Sequence, residues 1–570
     1  MTTFRLAALA LLAAFATLAA CARDSAMKPS AGARDSAMKP RESAASPPAL
    51  IHYFDNLGAY TRPISSRNAQ AQRWFDQGMR LTYGFNHEAA GRSFAQAAKL
   101  DPACAICWWG QALVLGPNVN LKMQDEAIAP AYALSRKALS LVAHASPAEG
   151  ALIEALVLRY ADPQPADRSA LDQAYATAMG QVVAKYPDDP DAATLYAEAL
   201  MDLSPWAYWT KTGDPSSPNT TILVAQLEAV LARNPDHIGA IHYYVHATES
   251  SSRPEAAEPH ADRLAMLSPG SGHLVHMPSH TYIRVGRYHD ATLINLKATD
   301  ADKHFLQFCR GSNGVYPLGY VPHNWHFIVT TAGLEGNAAR AIHAADQTAV
   351  RALDKPYQDA PLEFMQQFLV APLLARVRFE RWNELLAIEA PPSPLPYPTA
   401  IWHYARGRAH AAKGAFGGAG RDLAALEALA ADRAVAKVNF QDVNRADAVL
   451  EVAVASLRGE LALARGDRDA GLAAMRDAVA AEDALNYIEP PEWPLQNRHR
   501  LGAELLAANR GAEAEAVFRA DLVVFPKNGW SLRGLADALA AQGRPAEAEA
   551  TNTEFLEAWK WADTGIAAAD

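Results

Sequence analysis

Cysteine is scarce in this chain, four residues in 570. That is too few for the dense cross-linking that stands in for a core in small secreted domains. Cationic residues do not dominate either: Lys plus Arg number 52 against 62 Asp plus Glu, a net charge of −10. Without an excess of basic surface to displace counterions, no nucleic-acid partner is expected. Beyond the N-terminus no apolar run is long enough to span a bilayer. Convincing strand alternation is absent. So are HExxH, a GxSxG nucleophile elbow and a glycine-rich phosphate loop. What remains is 50% hydrophobic and 20% charged, enough to bury a large core, in several domains or one long repeat array.

The first 21 residues, MTTFRLAALALLAAFATLAAC, place Arg5 before an apolar run from Leu6 to Ala20, the build of a secretory signal. Leu18-Ala19-Ala20-Cys21 resembles a bacterial lipobox. That resemblance implies cleavage before Cys21, lipidation of its thiol and a membrane partner held through the lipid anchor, since buried acyl chains contribute about 0.8 kcal/mol per methylene. Ala22 in place of Asp is similar to the outer-membrane sorting class, so the expected location is the bacterial envelope, facing the periplasm. ARDSAMKP then occurs twice, at Ala22–Pro29 and Ala33–Pro40, with no hydrophobic period, and reads as a flexible tether.

From about residue 66 the pattern becomes Ala-rich amphipathic segments separated by short Gly, Asn, Asp and Pro turns. Trp74, Gly78, Ala90, Phe94, Ala97 and Pro102 fall on positions 4, 8, 20, 24, 27 and 32 of a unit that resembles the tetratricopeptide repeat (TPR), a 34-residue helix–turn–helix. Gln77 and Leu81 replace the usual Leu and Tyr. Pro526, Trp530, Gly534 and Ala546 repeat the spacing, and Gly286/Ala291, Gly336/Ala341 and Gly414/Ala419 mark further turns. Ser146-Pro147-Ala148-Glu149 predicts a capping box with Pro at the first helical position. The expected fold class is all-α, an α-solenoid of TPR-type hairpins. Its expected parts are a leader (1–20), a tether (21–50), N-terminal repeats (51–235), a His-rich centre (236–355) and C-terminal repeats (356–570). The blocks WFDQGMRLTYGFNHEAA, HMPSHTYIRVGRYHDA and EPPEWP together resemble large exported bacterial TPR lipoproteins. That resemblance implies a fold and a protein or peptide partner in the concave groove rather than a chemistry.

Histidine is unevenly spread. Eleven of the 18 lie between His237 and His326, where even scattering places about three. His242, His246 and Glu249 stand at i, i+4 and i+7; His273, His276 and His280 at i, i+3 and i+7; His323 and His326 at i and i+3. Each set shares one helical face. In TPR register they occupy positions 2, 5, 9 and 12 of three successive first helices, which the family resemblance turns toward the groove. Neutral imidazole is a favoured ligand for transition metals, and this set contains no thiolate. The expected cofactor is therefore a divalent ion, Zn, Cu or non-haem Fe, one or two per chain. A metal-free groove that binds an anionic peptide or small acid is the competing reading, and buried polar contacts between helices are the third. With an open coordination position the site also admits a metalloenzyme, with Glu249 as ligand or general base. Pro278 is expected to kink the middle helix. Tyr243, Tyr244, Tyr282 and Trp325 are candidates for a pocket wall, though aromatic residues in such helices are more often packing.

Cys104 and Cys107 form CxxC at a predicted helix start without a thioredoxin-like context, which favours a short structural disulfide over a redox pair. Cys309 reads as a buried hydrophobe. The segment Glu489-Pro490-Pro491-Glu492-Trp493 interrupts the helices and is expected to cross back over the solenoid, as a rigid contact or as a ligand-facing rim.

Overall fold

Small residues set how closely two helices approach, and the first hairpin shows how. Helix α1 (Ala69–Tyr83) and helix α2 (His87–Leu100) meet where Gly78 lies under the Phe94 ring: a Cβ on Gly78 would stand 2.4 Å from Phe94. Gly110, on α3 (Ala105–Leu113), presses the same ring from the other side at 2.6 Å. The arrangement recurs near the C-terminus, where Phe518 is held between Gly502 and Gly534 at 2.3 and 2.2 Å. Each buried aromatic of this kind contributes about 1.5–3 kcal/mol.

In this computed structural model the described residues are 52–308, 315–352, 365–391 and 395–565. Cys21, the leader, the tether and Cys309 lie outside them. The array continues through α4 (Asp125–Ser140), α5 (Pro147–Val157), α6 (Ser169–Lys185), α7 (Pro190–Met201) and α8 (Pro218–Arg233). The central helices are α9 (Ile238–Thr248), α10 (Glu258–Leu267), α11 (Gly272–His276), α12 (Pro278–Val285), α13 (Tyr288–Phe308), α14 (Val321–Leu334) and α15 (Ala338–Ala352). The last set is α16 (Gln366–Arg378), α17 (Trp382–Ala387), α18 (Pro396–Ala412), α19 (Phe416–Ala430), α20 (Ala446–Ala464), α21 (Arg468–Ala484), α22 (Asn497–Ala507), α23 (Gly511–Val524), α24 (Gly529–Ala541) and α25 (Pro545–Ala558). A two-residue antiparallel pair, Asn439–Phe440 with Asn444–Arg445, precedes α20. Along the array helices pack on their chain neighbours, and first helices pack on the first helices of adjacent hairpins. The fold is an all-α solenoid of TPR-type hairpins.

Local signals behave as their chemistry requires. Ser146 and Glu149 form the reciprocal capping box at the start of α5. Gly286, Gly336 and Gly414 take φ of 79°, 76° and 71°, the left-handed geometry that ends a helix most cheaply at Gly. Pro278 has no N–H to donate, and the expected helix from 272 to 285 divides there into α11 and α12. Cys104 and Cys107 are joined by a disulfide and both are buried. No helix among the described residues is long and apolar enough to cross a membrane.

Two long-range closures shape the centre. Helix α9 packs back on α1, with Gly239 against the Tyr83 ring. The C-terminal repeats return to α12–α15: the Tyr288 hydroxyl donates to the Pro526 carbonyl at 2.8 Å, Trp530 Nε1 to Gly333 at 2.9 Å, and Asp563 accepts from the Ala338 N–H.

Candidate metal centre

The His-bearing helices α9, α11, α12 and α14 are brought together, but not around an open groove. His242, His246, Glu249, His273, His276 and His280 are each at most 2% exposed, and His323 is half-buried. The open concave surface expected from the TPR register is corrected here. The closure of α1 on α9 and the return of residues 485–493 cover the face on which the imidazoles stand.

Within that buried volume the imidazoles form two triads. One ligand atom each from His242, His246 and His273 lies within 4.8 Å of the others, and the same holds for His276, His280 and His323. The two triads adjoin, with the His246 and His280 rings 5.2 Å apart. His326 belongs to neither. It packs edge-on to Phe368 at 5.7 Å, its Nδ1 has no partner, and burial pushes it down to about 4. Three residues advance a helix by about 300°, so His323 and His326 straddle the face: one turns toward α11 and α12, the other toward α16.

Hydrogen bonds orient the rings. The Tyr83 carbonyl accepts from His242 Nδ1 at 2.6 Å. Glu249 accepts from His246 Nδ1 at 2.9 Å and from His280 Nδ1 at 2.5 Å. Asn295 Oδ1 accepts from His276 Nδ1 at 2.6 Å, and its amide is fixed in that sense because Nδ2 donates to Ala291 at 2.8 Å. Four imidazoles thus have Nδ1 engaged as donor and turn Nε2 away from those partners. The Nε2 atoms lie close together: His276 Nε2 is 2.9 Å from His280 Nε2, His242 Nε2 is 3.1 Å from Nε2 of His273, whose own Nδ1 has no partner, and His246 Nε2 is buried without a partner. Donors sharing one ion through bonds of about 2.0–2.1 Å stand about 3 Å apart.

Burial, added to by neighbouring imidazoles, holds His242, His273, His276 and His323 well below the ordinary histidine range, so they stay neutral. Glu249 moves the other way. Burial alone would raise it, but His280 and His246, which both donate to it, hold it down to about 2. With both oxygens engaged by imidazole Nδ1, Glu249 links the triads, and with His246 and His280 it forms a third group whose ligand atoms lie within 4.8 Å of one another.

Sequence reasoning missed the residues that frame the triads. Phe85 lies over the first at ring separations of 4.4 Å to His242 and 5.3 Å to His273, with φ of 53°. Phe327 packs 4.6 Å from both His276 and His280. Tyr83 and Phe85 stand in the TYGFNHEAA block, yet nothing in that block reports contact with residues some 160 positions later. Asn295 offered only one signal, a polar side chain on the inner face of α13.

A cavity of about 670 Å³ adjoins the centre. Trp206 and Tyr487 form its inner wall: the Trp206 ring stands 5.2 Å from His246, and the Tyr487 hydroxyl is 3.3 Å from Glu249. Glu489, Pro491, Glu492 and Trp493 also line it. The EPPEW segment thus does cross back, and it forms a rim. Tyr243, Tyr244, Tyr282 and Trp325 do not line it; Tyr243 is buried in the core, Tyr244 bonds Glu228, Tyr282 bonds Asp262, and Trp325 packs on His343.

No protein family and no curated protein match the sequence. Among solved structures the chain is similar to the human IFIT1 dimer with m7Gppp-AAAA, at 13% identity over 86% of this chain and 90% of that one, with a TM-score of 0.32. It is similar to yeast Tom70 at 13% identity over 87% and 92% (TM-score 0.25), and to the APC/C hetero-tetramer Cut9-Hcn1 at 12% over 87% and 94% (TM-score 0.27). Scores of this size carry no inference about chemistry, and the fold rests on the helix pairs and their Gly–Phe packing described above.

Proposed function

We propose that this chain is a TPR-type metalloprotein that binds two divalent transition-metal ions in adjacent trihistidine sites, one on His242, His246 and His273 and one on His276, His280 and His323. The observation that carries the reading is the contact between His276 Nε2 and His280 Nε2 at 2.9 Å while both Nδ1 protons are committed, to Asn295 and to Glu249. With both Nδ1 atoms already engaged, the two rings face each other through Nε2, and a shared cation would turn that contact into coordination. An all-nitrogen donor set suits Zn(II), Cu(II) or non-haem Fe. Three protein ligands leave a coordination position for water or substrate, which supplies Lewis-acid or redox chemistry when an ion is bound. The adjoining cavity favours a second reading on the same site, a metalloenzyme acting on a small substrate that enters past Trp206 and Tyr487.

The test is elemental analysis of chain purified without an affinity His-tag, beside a variant with Ala at His242, His246, His276 and His280. Near-stoichiometric Cu, Zn or Fe that disappears from the variant supports the proposal. Chain that is metal-free and takes up no added ion overturns it and leaves a scaffold that binds a partner protein. The lipobox-like Cys21 supports a periplasm-facing, lipid-anchored location. Cys21→Ser is expected to release the chain from the membrane fraction, and a variant that stays there contradicts the anchor.

A further inference from the structure

A second cavity, of about 330 Å³, lies among the C-terminal repeats. First helices of successive hairpins, α16, α18, α20, α22 and α24, all contribute to its wall. Arg378, Arg408, His499, Arg500 and Arg533 line it, against the acids Glu380, Glu460 and Asp537. In a chain of net charge −10 this is a local reversal of sign.

The carboxylates present are spent on some of these cations. Glu460 is shared by Arg408 at 2.7 Å and Arg500 at 3.3 Å, Asp537 pairs with Arg533 at 2.8 Å, and His499 pairs with Asp521 at 3.0 Å. Among the described residues Arg378 forms no ion pair, although the charges of Asp521 and Glu482 reach it. Its guanidinium donates to the Pro494 carbonyl and, at 2.6 Å, to Gln496 Oε1, and burial pushes it down to about 10. Gln496 is only 4% exposed, and its Nε2 has no acceptor. A guanidinium without an ion pair among the described residues and an unpaired amide donor stand on one wall, where one oxyanion would meet both.

We infer that this cavity binds a ligand through a carboxylate, which the Nη1 side of Arg378 and the amide of Gln496 receive while the carbon skeleton lies against Val377, Leu506 and Phe518. A carboxylate offers one oxygen to the Arg378 guanidinium and one to the Gln496 amide, and the bond to the guanidinium is charge-assisted. Phosphate sites usually add helix N-termini or glycine-loop amides. The helix start beside this cavity is already occupied, because Glu482 accepts from both the Asn497 N–H and its side-chain amide at 2.9 Å. The volume is at the small end for ligand sites, about 300–1,000 Å³. The carboxylate belongs either to a small organic acid or to the C-terminus of another chain.

The experiment is calorimetric titration of the purified chain with succinate, with N-acetyl-alanyl-alanine, with the amide of that dipeptide and with inorganic phosphate. A carboxylate probe should bind, weaken at high salt and lose at least tenfold in affinity in Arg378→Met. Tighter binding of succinate identifies a small-acid site, and tighter binding of the dipeptide a chain-terminus site. Where Arg378→Met melts early, Arg378→Lys keeps the charge and Gln496→Glu keeps the acceptor for Arg378 while removing the amide donor; each should weaken binding several-fold at temperatures where circular dichroism shows the variant folded. The inference is overturned if the amide binds as well as the acid, if phosphate binds more tightly than either carboxylate, if the variants bind like the parent, or if no carboxylate binds at up to about 10 mM, weaker than the roughly 1 mM end of specific affinity.

Discussion

At the scale of single residues, buried charge does two different jobs in this molecule. Asp191 accepts from Arg62 at 2.8 Å, from the Tyr83 hydroxyl at 2.5 Å, from Tyr60 and from His237. Tyr83 in turn holds His242 through its carbonyl, so this hub indirectly positions the first triad. Burial alone would raise Asp191, but Arg62 and the hydrogen bonds of His237 and Tyr60 hold it well below the usual carboxylate range. A carboxyl lowered on folding stabilises above its unfolded value, about 3.9, and that contribution is lost as pH falls below it. Asp191→Asn leaves Arg62 paired with Asp189 alone, at 2.7 and 2.8 Å, and is expected to cost about 1–3 kcal/mol in urea denaturation at neutral pH. The difference from the parent should shrink as pH falls below about 4. Asn295 acts instead on tautomer. Asn295→Leu frees His276 Nδ1 and should weaken ion binding about 10–100-fold at the second site, with the first site changed much less, as read by competition with a chromogenic chelator.

At the scale of helices, the repeat pattern was legible because its cause is local. Gly at one position and Phe sixteen residues on report the close approach of two helices. Gly78→Ala gains helix propensity of about 1 kcal/mol but places a methyl 2.4 Å from the Phe94 ring. Overpacking costs about 1–3 kcal/mol, and the expected net outcome is a lower Tm by calorimetry. The i, i+4 and i+7 spacing likewise located the histidines on shared faces, and Pro278 marked the break between α11 and α12. The limit of such reasoning shows at His326. A spacing of three places two side chains near one stripe without saying where the stripe divides between neighbours, and α16, which takes His326 away, lies some 40 residues downstream. The partners Tyr83, Phe85 and Tyr487 were illegible for the same reason, since they meet the histidines through contacts 150 to 240 residues apart in the chain.

At the scale of the whole molecule, the closure of α1 on α9 and the return of the C-terminal repeats convert a groove into a buried centre. An ion bound there would tie α9, α11, α12 and α14 together, and a ligand present at about 100 times its Kd adds about 2.7 kcal/mol to the folded state. Chelation should therefore lower Tm, and re-addition of the native ion should restore it; identical melting with and without chelator would argue against ions that bind the folded state. The most direct test of the central claim is an anomalous difference map from crystals of the metal-loaded chain, collected at the absorption edge of the ion found. Two peaks are predicted, one about 2.0–2.1 Å from Nε2 of His242, His246 and His273 and one at the same distance from Nε2 of His276, His280 and His323. A map with no peak among these nitrogens, or with peaks only at surface carboxylates, would contradict the account.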